Sequence, residues 1–327
     1  MTENIYRAEL LNPTMYKFFA GVYNDFRLKA VSDYQFELEP LEYDEFLNAI
    51  DAKLLKCISL LENDIPTGFL AYTTTISEGI ELNMIHILGK DDVNQKFKVL
   101  MDKFLDLTEQ ERKRKVICYP MLGVQSNFVS EISKFNFKFI GQAILRYKMN
   151  NAQSERILDG VKVNPLPPQY KITSWSDEYK EQAIEIIHDS FKDTVDALFD
   201  TRFRSYNGVE DIINKIIENI YGEFLPNNTS VLLCDNRICG IAFANLTTPE
   251  IANIPLVAIS KRHRGKGYSK NLLQRTVRSI VDSAKLKENK CTEINVTTET
   301  NNYKALKMYR RVGFKEDYCY PQAYLES

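Results

Sequence analysis

The chain has 327 residues, 44% of them apolar and 26% charged, enough to bury roughly three quarters of its unfolded surface, and its length suggests about two domains. That excludes a disordered or fibrous protein. Forty-two Lys and Arg against 44 Asp and Glu leave a net charge of −2, which excludes a global basic field for nucleic acid or an anionic membrane, so any anion site is local.

In chain order, Phe19, Val22, Tyr23 and Phe26 recur at helical spacing, and Leu55–Leu61, Gly68–Thr74 and Leu82–Leu88 read as strands. A helix carrying Phe97, Leu100, Met101 and Phe104 precedes the strand Lys115–Tyr119. The basic cluster from Arg112 to Lys115 ends that helix, where the dipole favours cations. Residues 151–169, with Pro165, Pro167 and Pro168, read as a linker, because proline biases its neighbours toward extended backbone. Beyond it come a short strand at Tyr170, a helix from Glu178 to Phe191, and a second helix with Ile213, Ile216, Ile217 and Ile220. Strands Val231–Cys234 and Gly240–Ala244 are joined by the Asp235–Asn236 turn, and Ile254–Ile259 is a buried strand. A helix with Leu273, Val277, Ile280 and Val281, the strand Glu293–Thr297, and a helix from Asn302 to Val312 complete the order.

The two sides repeat. The stretch from Glu62 to Gly68 matches that from Cys234 to Gly240, and Met84–Ile87 matches Leu256–Ile259 at the same offset of 172 residues. Ser133–Phe137 matches Arg310–Phe314 at 177, the difference being a loop. Two copies of one α+β unit are the simplest account. The start of the chain lacks the basic-then-apolar pattern of a secretory signal, and no run of about 18 apolar residues exists to span a membrane. Six scattered cysteines read as reduced thiols of a cytoplasmic protein, and Cys234 and Cys239 lack a second Cys/His pair, so no metal site is expected.

The sharpest local signal runs from Val257 to Ser269, between a buried strand and an amphipathic helix. Gly265 and Gly267 let successive N–H groups converge, the helix N-terminus adds partial positive charge, and Lys261, Arg262, Arg264, Lys266 and Lys270 add basic side chains: a pyrophosphate cradle. Neither the dinucleotide nor the Walker spacing is present. Arg262-x-x-Gly265-x-Gly267 resembles the acetyl-CoA motif of the GNAT acetyltransferase superfamily. Asn302-x-x-Ala305-x-x-x-Tyr309-x-x-x-Gly313-Phe314, about 35 residues on, resembles that family's C-terminal helix.

The resemblance covers residues 170–327 through these motifs and residues 1–150 through the repeat. It implies two tandem GNAT-like domains of α+β class, each a mixed, mostly antiparallel sheet flanked by helices: a degenerate copy at 1–150, a linker at 151–169 and a catalytic domain at 170–327. It further implies that the main chain of Leu256, Val257, Ala258 and Ile259 bonds the pantetheine arm of acetyl-CoA. Amides of Arg264, Gly265, Lys266, Gly267, Tyr268 and Ser269 hold the pyrophosphate beside Arg262, and Asn302 and Ala305 face the cofactor. Tyr309 protonates the departing thiolate, a role suited to a phenol that stays protonated at neutral pH. An amide at Val257 or Ala258 stabilises the oxyanion. At the position where many relatives place a carboxylate base stands Asn253, which cannot accept a proton; Glu250 is the nearest carboxylate, while Glu293 and Glu299, across the cleft, read as surface charges and His263 as solvated. In the first copy Leu88–Gln95 holds one glycine and two acidic residues, Asp91 and Asp92, and Ile132 takes the tyrosine position.

The expectation is an acetyl-CoA-dependent N-acetyltransferase that passes an acetyl group directly to a small-molecule or peptide amine in a ternary complex, with no metal, nucleic-acid or membrane partner. The missing carboxylate motivates an alternative, a non-catalytic acyl-CoA-binding regulatory module. A third, a Fem-type peptidyltransferase, also pairs two such domains but works on aminoacyl-tRNA, which suits neither the CoA loop nor the charge balance. The sequence leaves the acceptor, the acyl chain and the oligomeric state open.

Overall fold

A computed structural model describes residues 5–33, 39–74, 79–113, 115–121, 128–149, 151–287 and 289–326; Arg114 of the basic cluster lies outside them. The chain divides into two compact units, Met1–Ile140 with Tyr320–Ser327, and Gly141–Cys319.

Unit 1 runs β1 (Tyr6–Leu10), α1 (Tyr16–Ser32), α2 (Tyr43–Asp51), β2 (Lys56–Glu62), β3 (Ile65–Thr73), β4 (Gly79–Ile87), α3 (Val93–Arg112), β5 (Val116–Tyr119), α4 (Val129–Ser133) and the start of β6 (Lys138–Lys148). Strands β2 and β3 meet at Asn63 and Asp64, both at positive φ (49° and 69°), the tight turn whose twist suits a hairpin. β4 lies antiparallel to β3 and parallel to β5, but the parallel pairing covers only Gly79–Glu81. Phe97, Leu100, Met101 and Phe104 of α3 bury against one face, and Phe19, Val22, Tyr23 and Phe26 of α1 against the other. Each such side chain contributes roughly 1.5–3 kcal/mol of burial. The last strand of this unit comes from the chain's C-terminus: Ala323–Leu325 pairs antiparallel with β5.

Unit 2 takes Gly141–Lys148 of β6, which pairs antiparallel with β14. It continues with α5 (Ala152–Asp159), β7 (Tyr170–Ser174), α6 (Lys180–Phe191), α7 (Asp196–Phe199), α8 (Tyr206–Ile217), β8 (Glu223–Phe224), β9 (Ser230–Cys234), β10 (Arg237–Ala242), β11 (Asn245–Thr248), β12 (Ile251–Asn253), β13 (Val257–Ile259), α9 (Tyr268–Lys285), β14 (Glu293–Glu299), α10 (Tyr303–Val312) and the start of β15 (Lys315–Leu325). α9 and α10 cover one face of the sheets, and α6 and α8 the other. The α+β class and the mixed, mostly antiparallel sheets flanked by helices are thus as the sequence implies.

Three local departures have physical causes. The stretch read as a linker contains α5, capped by the Asn151 side chain, which accepts from the amides of Gln153 and Ser154, and anchored by buried Leu158. The helix expected to reach Ile220 ends at Ile217, with Asn219 left-handed (φ 65°) and Ile220 exposed. The strand expected over Ile254–Ile259 is broken at Pro255, between β12 and β13. All six cysteines carry free thiols, and no helix among the described residues is long and apolar enough to cross a membrane.

Candidate active site

The break at Pro255 opens the site. Before it, Ile251–Asn253 lies parallel to Glu293–Asn295 of β14; after it, Val257–Ile259 leaves β14 and pairs antiparallel with β10. Beyond Asn295, β14 keeps β6 as its neighbour, so the strands part like the arms of a V. The register decides which main-chain groups line the opening. The Leu256 carbonyl accepts from Phe243 (3.0 Å) and the Ser260 amide donates to Cys239 (2.9 Å), so by antiparallel alternation Ala258 also spends its groups on β10. The N–H groups of Val257 and Ile259 turn to the open edge, so Val257, and not Ala258, has an amide directed into the opening. The Ile259 carbonyl is taken: Arg264 Nε donates to it at 2.8 Å, while the same guanidinium reaches Ser190 Oγ at 3.0 Å.

Arg264 therefore anchors the glycine loop. Gly265 and Gly267 are both left-handed (φ 79° and 86°), and Gly267 is the N-cap of α9. Having no side chain to cap with, it leaves the amides of Tyr268 and Ser269 at a helix N-terminus for an external acceptor. Arg262 and Lys266 are exposed beside the loop, whereas Tyr268 is buried against Tyr170 with ring centroids 4.6 Å apart. His263 is half-buried rather than solvated. It shares a hydrogen bond of 2.9 Å with the Tyr170 hydroxyl, and burial, then Lys266 and Arg262, push its basicity down.

Across the opening, Asn302 caps α10: its Oδ1 accepts from the Ala305 amide (3.2 Å) and its Nδ2 donates to Thr298 Oγ1 (3.3 Å), so its side chain ties the helix to β14. Tyr309 is buried on α10 with its ring edge toward Phe314, and its hydroxyl makes no hydrogen bond among the described residues. Burial, and then the charge of Asp196, drive its pKa up, so the phenol stays a proton donor at any physiological pH. Asp196 heads α7, in a stretch where sequence spacing names no functional residue; Thr194 Oγ1 donates to it at 3.2 Å, and burial raises its carboxyl. Glu299, at the end of β14, is partly buried rather than a plain surface charge, and it too is raised by burial and then by Asp196. The Asp196 charge thus acts on both Glu299 and Tyr309. Asp196 reaches them by tertiary placement, which no spacing encodes.

The other expected residues lie elsewhere in the same sheet. Glu250 is exposed at the turn between β11 and β12, and its carbonyl accepts from Thr292 at 2.8 Å. Asn253 stands in register between Asn245 and Asn295, with Arg146 beyond, one polar row at the foot of the opening. Arg146 holds Glu293 at 2.6 Å. Among the described residues no cluster could hold a metal ion.

Comparison with known proteins places this geometry. Residues 226–316, which include the glycine loop, the opening and Tyr309, match the family model of the acetyltransferase (GNAT) domain. No curated protein matches the chain. Among solved structures, a GCN5-related N-acetyltransferase from Sphaerobacter thermophilus aligns over 98% of this chain and 95% of its own, with a TM-score of 0.60 and 10% identity. A tandem GNAT protein from the clavulanic acid biosynthesis pathway aligns over 99% and 98%, with a TM-score of 0.55 and 10% identity. A glucosamine N-acetyltransferase region of a fungal multi-domain β-N-acetylglucosaminidase aligns over 99% of this chain and 38% of that one, with a TM-score of 0.61 and 10% identity. At such identity these likenesses speak for the fold alone. Residues 226–316 are thus similar to the acetyltransferase (GNAT) domain, and the whole chain shares its fold with a tandem GNAT protein.

Proposed function

We propose that unit 2 binds acetyl-CoA and transfers its acetyl group directly to an amine, releasing an amide and CoA thiol. The observation that carries this reading is Tyr309, buried on α10 with its pKa raised by burial and then by the Asp196 charge, across the strand opening from the Gly267-capped helix. An amine arrives mostly as an ammonium ion and must lose a proton before it can attack. Asp196 and Glu299 attract that cation, and one of them takes the proton. The nitrogen then adds to the thioester carbonyl, and the Val257 amide supports the oxyanion. Collapse breaks the C–S bond while Tyr309 gives its proton to the sulfur. The nitrogen's second proton passes to the phenolate directly or through solvent, and the proton held by the carboxylate leaves to solvent, so both groups are restored and no covalent enzyme intermediate is needed. The free thiols suit a cytoplasmic setting.

The test is acetyl-CoA-dependent thiol release over a panel of amines. Loss of turnover in D196N, E299Q and Y309F, with acetyl-CoA affinity kept, supports the reading. Asn253 at the foot of the opening favours a second one, a non-catalytic acyl-CoA-binding module; stabilisation by acetyl-CoA with no thiol release for any amine would select it.

A further inference from the structure

Lys162, Lys270 and Arg311 line one open cavity of about 390 Å³ in unit 2, together with Ile157, Gly160 and Val161. Several other basic side chains of unit 2 are ion-paired: Arg146 with Glu293, Arg278 with Asp159, Lys285 with Glu155, Arg310 with Glu316. None of the three in the cavity has a carboxylate partner among the described residues. Three uncompensated cations around one hollow repel each other, an arrangement that an anion would relieve.

The cavity wall is built rather than incidental. Side chains along one face of α9 hold the main chain that precedes β7: Lys270 Nζ donates to the Lys162 carbonyl, Asn271 Nδ2 to Asn164 (2.8 Å) and Gln274 Nε2 to Leu158 (3.3 Å), while Arg278 pairs with Asp159 at 2.6 Å. The same strap reaches the glycine loop, where a Cβ on Gly267 would lie 3.3 Å from Asn164 Nδ2. The cavity therefore adjoins the N-terminus of α9, since Lys270 is the third residue of that helix.

We propose that this cavity is a site for a phosphate monoester, the 3′-phosphate on the ribose of the CoA donor, and that Lys162 and Arg311 make the protein select CoA over its 3′-dephospho form. The inference rests on the donor reading above. In CoA one ribose carries the pyrophosphate on its 5′ oxygen and the phosphate on its 3′ oxygen, so an anion site one sugar away from the helix N-terminus is where the second anion falls. A phosphate monoester carries nearly two negative charges at neutral pH, the charge three cations would favour.

The test compares acetyl-CoA with 3′-dephospho-acetyl-CoA by calorimetric titration of the full chain. The wild type should bind the dephospho form at least tenfold more weakly, and in the K162A/R311A variant the two affinities should converge. Equal affinities in the wild type would overturn the proposal while leaving the donor reading standing. Binding of neither ligand would instead sink that reading and the proposal with it. Inorganic phosphate that still binds to the acetyl-CoA-saturated protein, and does not bind to K162A/R311A, would assign the cavity to a separate anion and overturn the assignment.

Discussion

Glu81 in unit 1 and Asn253 in unit 2 close the same feature: each ends a three-residue parallel pairing, Gly79–Glu81 with Val116–Cys118 and Ile251–Asn253 with Glu293–Asn295, at the repeat offsets read from the sequence. The agreement extends through the backbone. Each copy turns its first hairpin through two left-handed residues, Asn63–Asp64 and Asp235–Asn236. Gly68 and Gly240 each lie under the carbonyl of an equivalent residue, His86 and Ala258. Asn136 and Gly313 both take the left-handed conformation ahead of a buried phenylalanine, Phe137 or Phe314. What differs is the chemistry hung on this frame. Where Gly267 puts no side chain at the start of α9, the N-cap position of α3 holds Asp92, whose carboxylate makes no capping bond to the helix and accepts from the Tyr6 hydroxyl at 2.8 Å. Where Tyr309 stands, Ile132 fills a purely apolar place. The comparison teaches that the strand opening belongs to the fold, and that the two copies differ in the few residues set around it.

The largest expected effect of breaking the comparison is at Tyr309. Y309F should lower turnover by about 10²- to 10³-fold with acetyl-CoA affinity within about twofold, the size usual for removing a general acid; unchanged turnover would remove Tyr309 from the mechanism. Next is the acid sensitivity that His86 gives unit 1. His86 is fully buried, and burial, opposed by its Asp25 partner at 2.9 Å, lowers its pKa to about 4. The folded state thus keeps it neutral while the unfolded chain protonates near 6.5. Stability is intact above that pH and falls as pH drops toward 4, by on the order of 3 kcal/mol. Urea midpoints at pH 7.5 and 4.5 check this, and H86Q should flatten the slope; an unchanged slope would exclude His86 as its source.

Smaller effects sharpen the match between copies. A Cβ on Gly68 would sit 2.7 Å from the His86 carbonyl, a backbone atom, whereas on Gly240 the equivalent Ala258 carbonyl is 3.2 Å away and the nearest atom is the mobile end of Ile259. G68A should therefore cost about 2 kcal/mol and G240A about 1 kcal/mol or less, measured as chemical stability; the reverse order would mean the two openings are built differently. Last, G267A at φ 86° should weaken acetyl-CoA about tenfold, while G89A, at φ 75° in open space, should strain unit 1 without moving that affinity.

Local features were legible from the sequence because local chemistry sets them. The Asp235–Asn236 turn, the Gly265–Gly267 loop and the Asn302 cap each follow from residues within a few positions. The exchange of final strands was not: Gly141–Lys148 pairs with β14 and Ala323–Leu325 with β5, and these segments are equivalent in the repeat, so no pattern within either says which β-edge it joins. Asp196 and the strap over α9 escaped for the same reason, since both act through residues distant in sequence. Glu299 read as a surface charge because its burial comes from the tertiary fold around it.

The central claim, a donor site in unit 2 and none in unit 1, is tested most directly by calorimetric titration with acetyl-CoA, reading affinity and stoichiometry together. The account predicts one equivalent per chain at micromolar affinity, weakened by G267A and untouched by G89A. Two equivalents, or one that survives G267A unchanged and is lost in G89A, would contradict it.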